Sequence, residues 1–253
     1  MILPRMVQSP LLRSASGVFH VFQGIDPQPG RSEEERLRAV FCVPPDRVGT
    51  LRQVHSGTAL EMEEGDACDG RRAGDALWTA VPGTGAGVYT ADCVPVLLAH
   101  PGVPVCAAIH AGWRGLAAEV IGEAVRAIAA RFGSSAPDRI LAAAGPSARG
   151  CCYEIGEEVA DLLAPLPGGS RHLRKGGAPG KWTADLPSLA AEALVVSGIP
   201  RDRLEIAGPC TVCSRAFHSW RREKSLTGRQ LSFIYIAGPP GGGADPRRSG
   251  RLR

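Results

Sequence analysis

This sequence has no apolar run near the roughly 20 residues that a membrane-spanning helix needs, so a membrane is not an expected partner. The opening MILPRMVQSPLLRSASG also lacks the long apolar core of a signal peptide. Eight cysteines in 253 residues are too few for a disulfide scaffold. Together these absences predict a cytoplasmic protein with reduced thiols. Excess charge is scarce as well. The formal net charge is +4, but Gly238–Arg253 holds four Arg against one Asp, which leaves only +1 on the body. A body so near neutrality is not expected to take nucleic acid as its partner. No internal repeat and no strict βαβ rhythm are visible, which argues against a solenoid or a doubly wound parallel sheet.

The chain does contain 44% hydrophobic residues, 32 Gly and 21 Pro, enough for a good core joined by many tight turns. Its organising stretch is Gly87–Gly115, GVYTADCVPVLLAHPGVPVCAAIHAGWRG. Two apolar strand-like runs, Val94–Ala99 and Pro104–Ile109, adjoin Cys93 and His110, and reactive side chains favour such strand ends. Upstream, strands are expected over Val18–Phe22, Val48–His55, Thr58–Met62 and Asp75–Thr79, with a helix over Ser32–Val40. Downstream, helices are expected over Leu116–Phe132, Ile155–Leu163 and Asp185–Ser197, the last with Asp185 as N-cap. Strands are expected over Arg139–Ala144, Leu204–Ala207 and Leu231–Ala237, and Pro165–Trp182 reads as a basic, Gly-rich loop. The prediction is an α/β (α+β) fold with mixed sheets flanked by helices, in one domain over residues 1–237. The remainder, 238–253, reads as a disordered Gly/Pro/Arg tail.

Four constellations could carry chemistry. His55, Cys93 and His110 offer imidazole and thiolate donors suited to zinc, and three protein ligands leave a fourth position open for catalysis. Spacing alone does not show that the three meet. The same residues can instead be read as a Cys nucleophile with a His base, oriented by Asp92 or Gln53. Gly112-Trp113-Arg114-Gly115 at a helix start suits a phosphate or another anion, with Arg114 as its guanidinium; Arg221-Arg222 is a weaker candidate of the same kind. Cys210-Thr211-Val212-Cys213 is a CxxC and Cys151-Cys152 a vicinal pair. No second CxxC completes a zinc knuckle, so both read as mainly structural, with Cys151 a candidate for the substrate pocket.

Read together, RQVHSG (52–57), GDALWT (74–79), TADCVPVLLA (90–99), IHAGWRG (109–115), GPSARGCCYEIG (145–156), CTVC (210–213) and FHSWRREKSLTGRQLSFI (217–234) resemble one family. It is the laccase-domain, or multicopper polyphenol oxidase, family, which includes purine nucleoside phosphorylases and peptidoglycan editing factors. The resemblance spans roughly residues 14–236. It implies a single-domain mixed α/β fold in which His55, Cys93 and His110 are both the catalytic residues and the ligands of one zinc ion. It also implies phosphorolysis of adenosine, inosine, guanosine or methylthioadenosine, with phosphate as co-substrate and adenosine deamination as a side activity. Arg114, Gln53 and Cys151 become the candidate substrate contacts. A purine nucleoside and phosphate are then the small-molecule partners, and the chain is a monomer or homodimer.

The rival reading is a peptidoglycan-editing hydrolase that works on cell-wall precursors through a Cys–His pair. A four-copper laccase is not expected, because the chain has six His and no H-x-H pair. One His–Cys–His site could still take adventitious copper. The sequence departs from the family in two places. SASGVFHVFQGIDPQPG is short and lacks the usual GGxS-type loop, and Ser56 stands where a His-Gly pair is common. Glu154 and Asp92 are the candidate general acids.

Overall fold

A computed structural model of the protein describes residues 6–26, 30, 32–66 and 70–238. Its centre is the antiparallel pair Val94–Ala99 and Cys106–Ala111, joined by a short turn. Both strands are buried along their whole length, which is why they read as continuous apolar runs. Side chains nevertheless alternate between two faces. Val94, Val96, Leu98, Ala107, Ile109 and Ala111 enter one apolar cluster; Leu97, Ala99, Cys106 and Ala108 enter another.

This pair lies in a six-stranded mixed sheet ordered Leu204–Ile206, Leu141–Ala144, Val94–Ala99, Cys106–Ala111, Ala76–Thr79, Ala59–Met62. The first cluster is closed by helices Val120–Phe132 and Leu186–Val196. The second is closed by a five-stranded sheet ordered Met6–Val7, Val18–Gln23, Gln230–Ile236, Gly85–Thr90, Val48–Gly49. On that sheet's far face, Leu37 and Phe41 of helix Glu33–Phe41 pack beside Phe233. The layers therefore run helix, sheet, sheet, helix, and the expected mixed α/β fold is present.

Caps follow the sequence. Ser32 and Glu35 form a reciprocal capping box, and Asp185 accepts from the Ser188 N–H. Several boundaries differ from expectation, among them the strand expected over Pro104–Ile109, which runs Cys106–Ala111. Of Val48–His55 only Val48–Gly49 is strand, because the N–H groups of residues 54–56 turn away to bind Asp75. The predicted helix Leu116–Phe132 is two helices, Trp113–Ala117 and Val120–Phe132, parted at Glu119 with φ 55°. There the Ala118 carbonyl crowds Gly57 so closely that any Cβ at 57 would collide with it. Pro165–Trp182 contains a helical turn and the strand Leu173–Lys175, and Lys181–Ala184 is also strand. These pair with each other and with Glu154–Gly156 in a three-stranded sheet, so the helix expected from Ile155 begins only at Glu157. Such polar strands carry no apolar pattern to betray them. The tail expected to be disordered lies, from residue 239 onward, outside the described residues. Among the described residues no helix is long and apolar enough to cross a membrane.

One buried histidine belongs to this framework and not to the site. His20 is 1% exposed, and its Nε2 accepts the Ser9 N–H. Burial, helped by the charge of Arg13, lowers its pKa to about 4. Above the ordinary value of about 6.5 the ring is neutral in both states; below it the unfolded chain takes a proton that the folded chain refuses. Stability should therefore fall by about 3 kcal/mol on this account as pH drops from about 6.5 towards 4. Urea unfolding of wild type and His20→Gln at both ends of that window tests this. Gln keeps an acceptor for Ser9, so its stability should decline less; an equal decline would clear His20 of the role.

Candidate metal and anion site

The strand pair dictates half of the site. Pro95 and Val94 lie opposite His110 and Ala111, so Cys93, one residue earlier, falls beside Gly112 at the open end of the ladder. A Cβ on Gly112 would stand 2.8 Å from Cys93 Sγ and 3.3 Å from His55 Cδ2, so the glycine leaves the room in which the donors gather. His55 arrives from the loop before Ala59–Met62, with φ 60°. The donor atoms of His55, Cys93 and His110 all lie within 4.8 Å of one another, and the two imidazole centroids are 4.8 Å apart. The three candidate ligands do meet.

Asp75 arranges them, a role not anticipated from the sequence. It is fully buried, and its Oδ1 lies 2.9 Å from His110 Nδ1 and accepts the His55 N–H at 3.0 Å. Its Oδ2 accepts from the N–H groups of Ser56 and Val54 and from the Ser56 hydroxyl. Ser56, a departure from the family pattern, is thus one of the turn's anchors. Burial would raise the Asp75 pKa, but these donors, His110 first, hold it well below the usual carboxylate range. With Nδ1 engaged, His110 has Nε2 left for a metal, an arrangement that commonly orients such ligands.

The thiol and the imidazole adjust to each other. Burial opposes ionisation of Cys93, yet hydrogen bonds from His110 and His55 bring its pKa down to about 6. Burial likewise opposes protonation of His110, and Asp75 and Cys93 outweigh it, lifting the pKa to about 9. A thiolate beside imidazoles is the form needed either for metal ligation or for nucleophilic attack.

The trio lines a cavity of about 600 Å³. Its wall carries Arg114, Arg221, Lys224 and Arg229, with Asp92 as the lining carboxylate. Asp92 is already spent: its oxygens accept from Thr211, from Ser219 and from the Arg221 N–H. It orients neither histidine. The balance of charge in the cavity therefore favours an anion. Arg114 lines the cavity, with its guanidinium carbon 4.2 Å above the Trp113 ring. Gln53 lines it too, but its amide group is paired at both ends with the backbone of Tyr89. Glu154 is absent from the lining; it sits at the surface within reach of Lys181. Cys151 is also absent from this lining and borders a separate cavity.

The arginine pair divides its labour. Arg222 is structural: its guanidinium donates to the carbonyls of Thr211, Val212, Ser214 and Phe217 and pairs with Glu223. Arg221 instead faces the cavity with its guanidinium carbon 4.4 Å from the Tyr153 ring centroid. Lys224 and Arg229 escaped notice because surface-type charges on an irregular loop carry no periodic signal.

Residues 18–237 match the family described as multi-copper polyphenol oxidoreductase laccase. The chain is 36% identical over 219 residues to a Streptomyces coelicolor protein named purine nucleoside phosphorylase SCO2081, covering 84% of this chain and 85% of that one. It is 32% identical over 216 residues to purine nucleoside phosphorylase YlmD of Geobacillus stearothermophilus, covering 80% and 77%. The crystal structure of Bacillus licheniformis hypothetical protein YfiH superposes with a TM-score of 0.81 at 25% identity, over 92% of this chain and 97% of that one. That of Geobacillus YlmD gives 0.79 at 26% identity, over 94% and 98%. With the same layers, and with the family match running through every element that builds the cavity, this chain belongs to the multi-copper polyphenol oxidoreductase laccase family.

Proposed function

We propose that this protein is a zinc-dependent purine nucleoside phosphorylase, acting on adenosine, inosine, guanosine or methylthioadenosine, with adenosine deamination as a side activity. One observation carries this reading: a His–Cys–His donor set and four cationic side chains line the same cavity. The donors fit zinc, since two imidazoles and one thiolate leave a coordination position free, and Asp75 supplies the outer support such sites use. Copper would compete at the same atoms as an adventitious occupant. The relatives named purine nucleoside phosphorylase support the substrate class.

In phosphorolysis a phosphate oxygen bonds to ribose C1′ while the C1′–N9 bond breaks, its electron pair passing to the purine, which takes up a proton. Zinc held by His55, Cys93 and His110 would supply Lewis acidity to the reaction. The chain's own contribution is positioning. Arg114 and Arg221 hold phosphate or ribose oxygens, each guanidinium kept in place over an aromatic ring. Trp220 offers flat apolar surface to the base. Small soluble substrates and a cytoplasmic setting belong to the same reading. A cavity of this size suits a nucleoside with phosphate better than the longer groove a muropeptide precursor needs.

Four outcomes are expected. Adenosine incubated with the metal-quantified enzyme should yield adenine and ribose 1-phosphate only when phosphate is added. His55→Ala and Cys93→Ala should lose product and metal together. Zinc-loaded protein that forms no purine product would sink the assignment and turn attention to muropeptide hydrolysis. Arg221→Ala or Arg114→Ala should raise the KM for phosphate about 10-fold or more, the worth of one charge-assisted hydrogen bond; unchanged phosphate dependence in both removes them from this role. Asp75→Asn should weaken zinc binding by roughly 10- to 100-fold in competition with a chelator. Unaltered affinity in that variant would mean that the His110 ring needs no support.

A further inference from the structure

A second group of metal-type donors lies outside the cavity. Cys151, Cys152, Cys210 and Cys213 place their four sulfurs within 4.8 Å of one another. Cys152 and Cys213 are 3.0 Å apart and Cys151 and Cys213 3.6 Å. A tetrahedron with zinc–sulfur bonds of about 2.3 Å has edges of about 3.8 Å, so shifts of under about 1 Å would seat the ion. The knuckle that the lone CxxC lacks in sequence is completed in space by the vicinal pair, separated from it by 57 residues.

The backbone is built for it. A bridge between Ser147 and Cys210, reinforced by the Thr211 N–H donating to the Ser147 carbonyl, brings the two segments side by side. Cys210 opens a tight turn closed by the Ser214 N–H on its carbonyl, and the Cys152 N–H donates to the Arg149 carbonyl to close the turn that presents the vicinal pair. Four sulfurs gathered this closely are matched to a divalent ion.

We propose that these four cysteines form a second, closed tetrathiolate zinc site whose role is structural. Its position says what it secures. Thr211, inside the CxxC turn, donates to Asp92, the neighbour of Cys93, and Asp92 in turn holds the Arg221 N–H. Cys152 is followed by Tyr153, the ring beneath Arg221. The ion thus staples together two segments that end at the cavity wall, whatever the substrate there.

Metal analysis of the reduced full-length protein, with cobalt(II) absorption spectra, tests the assignment without reference to activity. Wild type should hold two zinc ions per chain. Cys93→Ala should hold one, and its cobalt form should show the intense sulfur-to-metal charge transfer of four thiolates. Cys152→Ser/Cys213→Ser should also hold one ion, with that signature lost. One zinc in wild type and none in Cys93→Ala overturns the proposal. So does an intact mass two hydrogens short under non-reducing conditions with zinc unbound at these thiols, which means a disulfide. If the double variant fails to fold, the spectrum of Cys93→Ala decides alone: absence of the four-thiolate bands refutes the site.

Discussion

The site depends on one fully buried carboxylate. Asp75 binds the ring of His110 and three consecutive backbone N–H groups around His55, and so fixes two of the three donors against each other. One lies on a sheet strand; the other is a loop residue in the left-handed region. A buried carboxylate is costly unless its lone pairs are filled, and here they are filled by the donors whose placement the site requires. The cost of burying the charge and the precision of the site have a single origin.

Around that carboxylate the fold supplies rigidity. Cys93 and His110 stand at the same end of an antiparallel pair buried on both faces, one facing a helical layer and the other a second sheet. Side chains at the end of so enclosed a ladder have little freedom, which suits donors held ready for an ion. Gly112 then leaves space where any side chain would press on the thiol.

The opposite wall is built differently. It is an irregular segment, 208–230, stitched by the Arg222 guanidinium to four carbonyls and anchored to the metal side through Asp92. Cationic side chains placed on such a segment depend on polar bonds more than on apolar packing. The four-cysteine group sits where that stitching meets the turn before Tyr153.

Several features were legible in the residues themselves. The buried strand Val94–Ala99 and most of Cys106–Ala111, expected over Pro104–Ile109, follow from apolar runs, the caps at Ser32 and Asp185 from local hydrogen-bonding chemistry, and His55, Cys93 and His110 as metal-type donors from residue type. These are local properties, encoded over a few residues. Tertiary structure alone decided the rest. Asp75 reads as an ordinary strand-start residue until the 54–56 loop folds onto it, and Arg221 cannot be told from Arg222 until one finds carbonyls and the other a cavity. Cys151 and Cys152 gain a partner pair only when residues 147 and 210 come side by side. Contacts across such separations are chosen by packing and by the need to satisfy buried polar groups, and neither is written in the spacing of the residues concerned.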